Sequence, residues 1–314
     1  MSDALVLLAI LAAFYLHDCS LWVDRATVVF LTRGLRGWHP LQSRPLFTGG
    51  TKGLLPSFRL PPLTPVYLCP PVPTDSAPVL PLDRRLDLRT LRDDLTRFTG
   101  QALALRLLCN IFFLHLFAVV PGTMLLWSLE ALWFPLLAIL ALLVFTIALE
   151  FRRLHARLWP DHAAARRSEL IHMALYPPAA LRAHDWLAHR VCSAYHPVAV
   201  AAVLCAPAVF AAFAARRLRY LRHPLPGETT HAESAAAEVD AVSHTVAAAG
   251  LDPETLLCPP PRVDATSLAY CPRCHTAYAI SAGTCADCPA VALTPYVSDL
   301  QPGDVVPAHA RTRA

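Results

Sequence analysis

The stretch that decides the fold is residues 107–149, which read LLCNIFFLHLFAVVPGTMLLWSL, then Glu130, then ALWFPLLAILALLVFTIAL. Each apolar run is about 20 residues long, and a helix of that length crosses the ~30 Å hydrocarbon core of a bilayer. Pro121 and Gly122 supply a helix-breaking pair near the middle. The pattern predicts a transmembrane hairpin over residues 103–151.

The composition agrees with a membrane protein. Apolar residues make up 55% of the chain and charged residues only 16%, whereas about a quarter of the residues in soluble domains are charged. The formal net charge of +4 is modest, so no nucleic-acid partner is expected. Alanine, arginine, leucine and proline dominate, a bias typical of a GC-rich genome, and we expect a multi-pass protein of a bacterial inner (cytoplasmic) membrane.

The chain before the hairpin divides into two parts. Residues 1–23 contain an apolar run that predicts an N-terminal transmembrane helix with its N-terminus outside, or an interfacial anchor if the run is too short to span. Residues 24–102 form a proline-rich aqueous segment in which long helices are excluded. Residues 27–31 and 66–68 favour β-strands there.

The aqueous segment ends in an amphipathic helix. From residue 83 onward, apolar side chains recur at helical spacing, at Leu88, Leu91, Leu95 and Phe98, with arginines between them. We expect this helix to lie against lipid headgroups, where each arginine contributes about 1 kcal/mol.

The chain after the hairpin divides into five parts. Residues 152–195 are predicted to be a basic, histidine-rich loop with helical pieces interrupted at Pro160 and Pro177. The remaining parts are a third apolar segment, span or re-entrant (196–215), a linker and short helix ending at Gly250 (216–257), a cysteine-rich module (258–300) and a disordered tail (301–314).

The number of spans depends on residues 196–215. If they cross the membrane as a fourth span, Arg216, Arg217, Arg219 and Arg222 lie outside together with the thiol-rich tail. The positive-inside rule and the need to keep thiols reduced both favour a cytosolic tail. We therefore favour three spans, with the C-terminal tail in the cytosol.

The strongest motif is a pair of cysteine pairs, Cys271-Pro-Arg-Cys274 and Cys285-Ala-Asp-Cys288. Two thiolates on each of two tight turns complete a tetrahedral four-sulfur metal site. Residues 268–297 resemble the short zinc ribbons found at the ends of many bacterial membrane and regulatory proteins. The resemblance implies a structural Zn²⁺ held by two knuckles that short β-strands join.

Rubredoxin-type knuckles share this spacing and hold iron. They usually place glycine directly after the second cysteine of each pair, where a backbone N–H reaches the sulfur. Here His275 and Pro289 occupy those positions, and proline has no N–H to donate. The flanks therefore favour zinc, and a site closed by four thiolates favours a structural over a catalytic ion.

The histidines support a second hypothesis. His115 lies within the first hairpin run, and the others near the membrane are His17, His155, His162, His172, His184, His189 and His196. Two histidines that face each other across helices can ligate a haem or a metal. The alternative is that His115 is a neutral, hydrogen-bonded packing residue and that the loop histidines lie at an aqueous interface.

The sequence as a whole predicts a mainly α-helical integral membrane protein with a small, partly β insertion and a C-terminal zinc ribbon. No nucleophile elbow, P-loop or metalloprotease motif is present, so no catalytic residues are predicted. The expected function is that of a membrane-anchored adaptor or assembly factor, with the lipid bilayer and a protein bound by the ribbon as partners. The alternative is a membrane redox protein that holds haem or iron through its histidines and tail thiolates.

Overall fold

The computed structural model describes residues 6, 9–10, 12–13, 20–24, 27–32, 38–42, 47–49, 52–56, 66–69, 81–126, 129–225, 232–262 and 264–296. The chain divides into two compact units, Met1–Phe210 and Ala211–Ala314. In the described residues the first unit is mainly α-helical, whereas the second combines helices with a small sheet. The predicted tail at 301–314 and most of residues 1–19 lie outside the described residues.

Two small antiparallel sheets open the first unit. Their strands are β1 (Ser20–Asp24), β2 (Val28–Thr32), β3 (Trp38–Gln42), β4 (Phe47–Gly49), β5 (Lys52–Pro56) and β6 (Val66–Cys69). The strand orders are β1-β5-β4 and β3-β2-β6. The two predicted β segments fall on β2 and β6, whose β-branched Val29 and Val66 are buried against each other. Residues 20–23 lie in β1, paired with β5, and do not extend the predicted N-terminal helix.

The amphipathic helix is present but packs inside the protein. After α1 (Leu82–Arg85), α2 (Leu88–Gln101) begins at the N-cap Asp87, whose carboxylate accepts hydrogen bonds from two backbone N–H groups of the first turn. Its stripe of Leu91, Leu95 and Phe98 is buried. The expected contact with lipid headgroups is therefore wrong for this stripe, because other helices of the first unit cover it.

The predicted hairpin runs are helical, but Pro121 does not break the first one. It comprises α3 (Leu103–Leu114), a π-helical turn (His115–Val119) and α4 (Val120–Leu126). The Val120 N–H donates to the His115 carbonyl, which widens this turn. The widened turn tolerates Pro121, which has no N–H to donate. The second run is α5 (Leu129–Leu158), which continues beyond residue 151.

Two helical stretches are long and apolar enough to cross a membrane by length and composition, Leu103–Thr123 and Phe134–Leu158. They contact each other as α3 and α5, and the His115 Nε2 lies 3.3 Å from the Leu136 carbonyl oxygen. Most of the second stretch is exposed at the protein surface, including Phe134 at 85%. In the described residues, no third helix meets these criteria.

The segment 152–195 contains the predicted helical pieces, interrupted near Pro160 and at Pro177, but it is mostly helical and contributes to the core where a loop was expected. It contains the end of α5, α6 (Ala163–Leu175), a 3₁₀ turn (Pro177–Arg182) and α7 (Ala183–Ser193). Prolines here begin helical turns, since Pro177 opens the 3₁₀ turn and Pro197 opens α8 (Pro197–Leu204). His155, His184 and His196 are buried and do not lie at an aqueous interface.

The third apolar segment is not one continuous helix. It divides into α8, which is buried in the first unit, and α9 (Pro207–Arg222), because Cys205 is extended before Pro207. The second unit adds α10 (Ala232–Ala248) and α11 (Pro253–Leu257). Gly250, with a φ of 84°, closes α10 in a Schellman motif in which the Leu251 N–H donates to the Val246 carbonyl.

Salt bridges connect the helices of the second unit. Arg217 of α9 pairs with Glu238 of α10 at 2.8 Å, and Arg222 of α9 pairs with Glu254 of α11 at 2.9 Å. The predicted linker region therefore contains packed helices. A three-stranded sheet follows, with strands β7 (Ala269–Tyr270), β8 (Ala277–Tyr278) and β9 (Thr294–Pro295) in the order β8-β7-β9.

Candidate metal centre

Short strands present the two cysteine pairs to each other. Strand β7 pairs antiparallel with β8 and β9, and the first pair occupies the turn between β7 and β8. The second pair lies in a loop closed by the Cys285 N–H, which donates to the Val291 carbonyl at 2.9 Å, and by the Val291 N–H, which donates to the Cys288 carbonyl at 3.1 Å. Both turns are thus held by backbone hydrogen bonds.

The four predicted ligands come together in space. The sulfur atoms of Cys271, Cys274, Cys285 and Cys288 all lie within 4.8 Å of one another, and those of Cys274 and Cys285 are 3.6 Å apart. A tetrahedral ion with metal–sulfur bonds of about 2.3 Å requires sulfurs about 3.8 Å apart. Three of the four cysteines are buried and Cys274 is half-buried. The geometry therefore fits one tetrahedrally coordinated metal ion.

A tyrosine contacts one of these sulfurs. The Tyr278 hydroxyl donates to the Cys285 sulfur at 3.2 Å and accepts the Ala286 N–H at 3.0 Å. Burial opposes ionisation of Cys285, but hydrogen bonds from Tyr278 and the neighbouring thiols outweigh it and lower the thiol pKa to about 7. Burial raises the pKa of Cys271 and of Cys288. A bound cation favours the thiolate form of its cysteine ligands.

The residues after each cysteine pair adopt a conformation that favours glycine. His275 has a φ of 64°, and its N–H donates to the Cys271 carbonyl at 2.9 Å. In the second knuckle the left-handed residue is Ala290, one position beyond Pro289, with a φ of 67°. His275 therefore takes the backbone shape that glycine has in iron-binding knuckles, so the absence of glycine there does not argue against iron. Only Pro289 still distinguishes this site from that pattern.

Arg273 holds the first knuckle against α9, a role that the sequence did not indicate. Its side chain is 5% exposed, its Nη1 donates to the His223 carbonyl at 2.8 Å, and its guanidinium lies 4.5 Å from the centre of the Tyr220 ring. In return the Arg219 Nε donates to the Arg273 carbonyl at 3.4 Å. An arginine between two ligand cysteines is ordinarily read as solvent-exposed, so only the packing reveals this contact.

The histidines that the structure describes do not assemble into a second centre. His115 lies beside a backbone carbonyl, His189 Nδ1 lies 3.0 Å from the Leu68 carbonyl oxygen, and His196 Nδ1 accepts the Val198 N–H. His155 Nε2 is 3.8 Å from a Glu169 carboxylate oxygen. Among the described residues, the four cysteines are the one group of three or more His, Cys, Asp or Glu side chains placed to hold a metal. His17 lies outside the described residues.

The fold and site define a mainly helical protein with two helices apolar enough to span a bilayer and a C-terminal four-cysteine module that can hold a metal ion. Comparisons of the chain with protein-family models, with curated proteins and with solved structures find no match.

Proposed function

We propose that this protein is a membrane-anchored adaptor whose C-terminal zinc ribbon binds another protein. The observation that carries the proposal is the closed site itself, four cysteine sulfurs within 4.8 Å of one another. Four thiolates leave a tetrahedral ion without an open coordination position, so the ion stabilises a fold and does not activate a substrate.

Membrane anchoring rests on where the surface of the hairpin changes from polar to apolar. Where α2 leads into α3 the change falls between Gln101, the last residue of α2, and Leu103, the first residue of α3, both exposed. The contact between His115 and Leu136 fixes the position of α3 along the antiparallel α5. Counting back from His115 to Leu103, and forward by the same number of residues from Leu136, places Leu103 beside Leu149 to within about one turn. On α5 the surface changes at the same level, from exposed Leu149 to exposed Arg152.

The two helices thus share one border, as expected where both leave a bilayer. Beyond it, exposed apolar side chains continue along both helices, at Leu107, Ile111, Leu114, Leu137, Ile139, Leu142 and Phe145. Water does not favour so wide an apolar surface. We propose that this end of the hairpin, and the chain that follows it, lie on the cytosolic side of a bacterial inner membrane, a proposal that the exposed arginines at the border support.

Zinc is the proposed ion because Pro289 has no N–H to donate to a cysteine sulfur, and because zinc commonly takes four thiolates in a tetrahedron. Protein binding by the ribbon is supported by Leu268 and Ile280, large apolar side chains that are exposed on this small module. Exposed apolar residues beside a rigid metal knuckle are a common basis for protein contacts.

The second candidate function is electron transfer by iron in the same four-thiolate site. It is favoured by the left-handed conformation of His275, which imitates the glycine of iron-binding knuckles, and by the hydroxyl hydrogen bond to the Cys285 sulfur. Hydrogen bonds to sulfur are one means by which proteins adjust the reduction potential of iron–thiolate sites. The visible spectrum separates the candidates, because zinc thiolates are colourless and ferric thiolates are not.

The first test is metal analysis with a visible spectrum on the full-length protein purified in detergent. About one zinc per chain and no visible band are expected. Iron with a thiolate band would replace the adaptor proposal with the redox candidate.

The second test addresses anchoring and protein binding together in cells. The protein is expected to stay in the membrane fraction after alkaline carbonate extraction, and its release into the soluble fraction would refute anchoring. A photo-crosslinking amino acid at Ile280 should give one discrete adduct that disappears in Cys271→Ser, whereas the same probe at exposed Arg216 should not. An absent adduct, or one unaffected by Cys271→Ser, would refute docking by the ribbon.

A further inference from the structure

The exposed surface of α6 changes in character along the length of the helix. In its first half the exposed side chains include Arg167 and Ser168, and in its last turns they are Ile171, Ala174 and Leu175 beside His172. Ile171 is 51% exposed and Leu175 is 81% exposed. Two large apolar side chains one turn apart therefore face away from the protein at one end of the helix only.

The opposite face of α6 fixes this orientation. Glu169 accepts a hydrogen bond from Arg190 of α7 at 3.0 Å, and Met173 is fully buried. Rotating α6 to hide its apolar end would break this ion pair and expose Met173. The exposed apolar end is thus a fixed feature of the first unit.

Contacts within the first unit define the level of α6 along α5. A short connection joins the two helices, and His155 of α5 approaches Glu169 of α6 at 3.8 Å. Both Phe151 and His172 contact the Trp186 ring, with ring centres 6.2 and 5.6 Å away. The helices are therefore antiparallel, and the level of residues 149–152 corresponds to residues 171–175, to within about one turn.

Near this level both helices change from polar to apolar surfaces, and the two changes lie within about one turn of each other. On α5 the change falls between exposed Leu149 and exposed Arg152, and on α6 it falls between exposed Ser168 and exposed Ile171. The α3 border described above lies at the same level. Three helices thus share one plane that separates polar from apolar surface, as expected of a bilayer surface and not of separate protein contacts.

We infer that the C-terminal half of α6 is a re-entrant element, with Leu175 entering the acyl chains of the same leaflet that α5 leaves at Leu149 and Ile171 at the border between those chains and the headgroups. This inference rests on the proposed membrane anchoring. Arg152, Arg153 and Arg167, which are exposed at the border or on its polar side, lie at the headgroups and favour anionic lipid. The occupant of this surface is therefore an anionic bilayer.

The experiment places a nitroxide label at single introduced cysteines in the full-length, zinc-loaded protein. The host variant is Cys258→Ser, because Cys258 is the exposed free thiol of the described residues, and the host without an added cysteine supplies the blank. Labels go at Leu175, at Ser168 as the matched control on the polar end of the same face, and at Leu142 within α5. Ala174, also exposed, replaces Leu175 if that variant does not retain zinc.

The labelled proteins are reconstituted in phosphatidylcholine–phosphatidylglycerol vesicles, and collision rates with oxygen and with a water-soluble nickel chelate are measured. Labels at 142 and 175 should collide preferentially with oxygen, and the label at 168 with nickel. A water-exposed label at 175 with a lipid-exposed label at 142 would overturn this inference and leave anchoring intact. Water exposure at both would overturn anchoring as well. Spin–spin broadening at 175 would indicate a second copy of the chain and also overturn the inference.

Discussion

Replacing Arg273 with alanine is expected to loosen the metal knuckle without touching a ligand. The substitution removes the hydrogen bond to the His223 carbonyl and the contact with the Tyr220 ring. A hydrogen bond from a charged group contributes about 1.5–3 kcal/mol, and a cation–π contact about 0.5–1 kcal/mol. The expected loss in the local free energy of unfolding is therefore roughly 2–4 kcal/mol, because the side chain is almost fully buried.

Native-state hydrogen exchange on the zinc-loaded, full-length protein measures this loss. Since each 1.4 kcal/mol is a factor of ten, amides of residues 269–278 and of the last turn of α9 should exchange roughly 30- to 700-fold faster in Arg273→Ala. Zinc should also pass faster to a chelating dye, because the opened knuckle exposes the ion.

Two variants control this measurement. Arg216→Ala removes an exposed arginine from the same helix and should leave exchange unchanged. Arg273→Lys keeps the charge but loses the planar guanidinium that can stack on the Tyr220 ring and donate a hydrogen bond at the same time. Its exchange rates should therefore lie between those of the wild type and of Arg273→Ala. If exchange in Arg273→Ala stayed within about threefold of the wild type, the contact with α9 would not stabilise the knuckle.

Four further predictions concern the ribbon. Ala290→Gly should raise its stability by about 1 kcal/mol, because glycine adopts the left-handed conformation without strain; Gly283→Ala should lower it by about 1–3 kcal/mol, since its φ of 137° is open only to glycine. Both are checked by measuring, in the presence of a chelator, the fraction of protein that retains zinc as the denaturant concentration rises. A variant midpoint equal to that of the wild type would contradict the corresponding prediction. Tyr278→Phe should weaken zinc affinity about tenfold by removing the hydrogen bond to Cys285, which competition with a zinc-binding dye measures. Lowering the pH should weaken zinc binding, because thiols must lose protons to bind the ion. For each pH unit, the affinity should fall about tenfold for every proton that zinc displaces. Release of fewer than one proton per zinc at pH 7 would be inconsistent with the proposed site.

Local patterns in the sequence were sufficient for several elements. The spacing of the four cysteines depends on two tight turns, each formed by four neighbouring residues, and the structure brings all four sulfurs within 4.8 Å. The helical spacing of Leu91, Leu95 and Phe98 predicted α2 for the same reason, since periodicity is local.

Other expectations failed because the same pattern permits several partners. An apolar stripe with interleaved arginines suits a lipid surface or a protein core, and in α2 the neighbouring helices cover it. The proline at 177 was expected only to interrupt helical pieces of a loop, yet it opens a 3₁₀ turn whose Ala179, Ala180 and Leu181 are buried. Pro121 was expected to break its helix, but a π-helical turn accommodates it.

The sequence by itself determined the composition of the two apolar helices and the four ligand positions, because helix length, hydropathy and turn spacing are properties of neighbouring residues. Only the tertiary structure decided that Arg273 is buried against α9 and that His275 takes a left-handed conformation. It alone shows that α3, α5 and α6 change from polar to apolar surface within about one turn of a common level. These features depend on contacts between residues far apart in the chain, and local patterns leave such contacts undetermined.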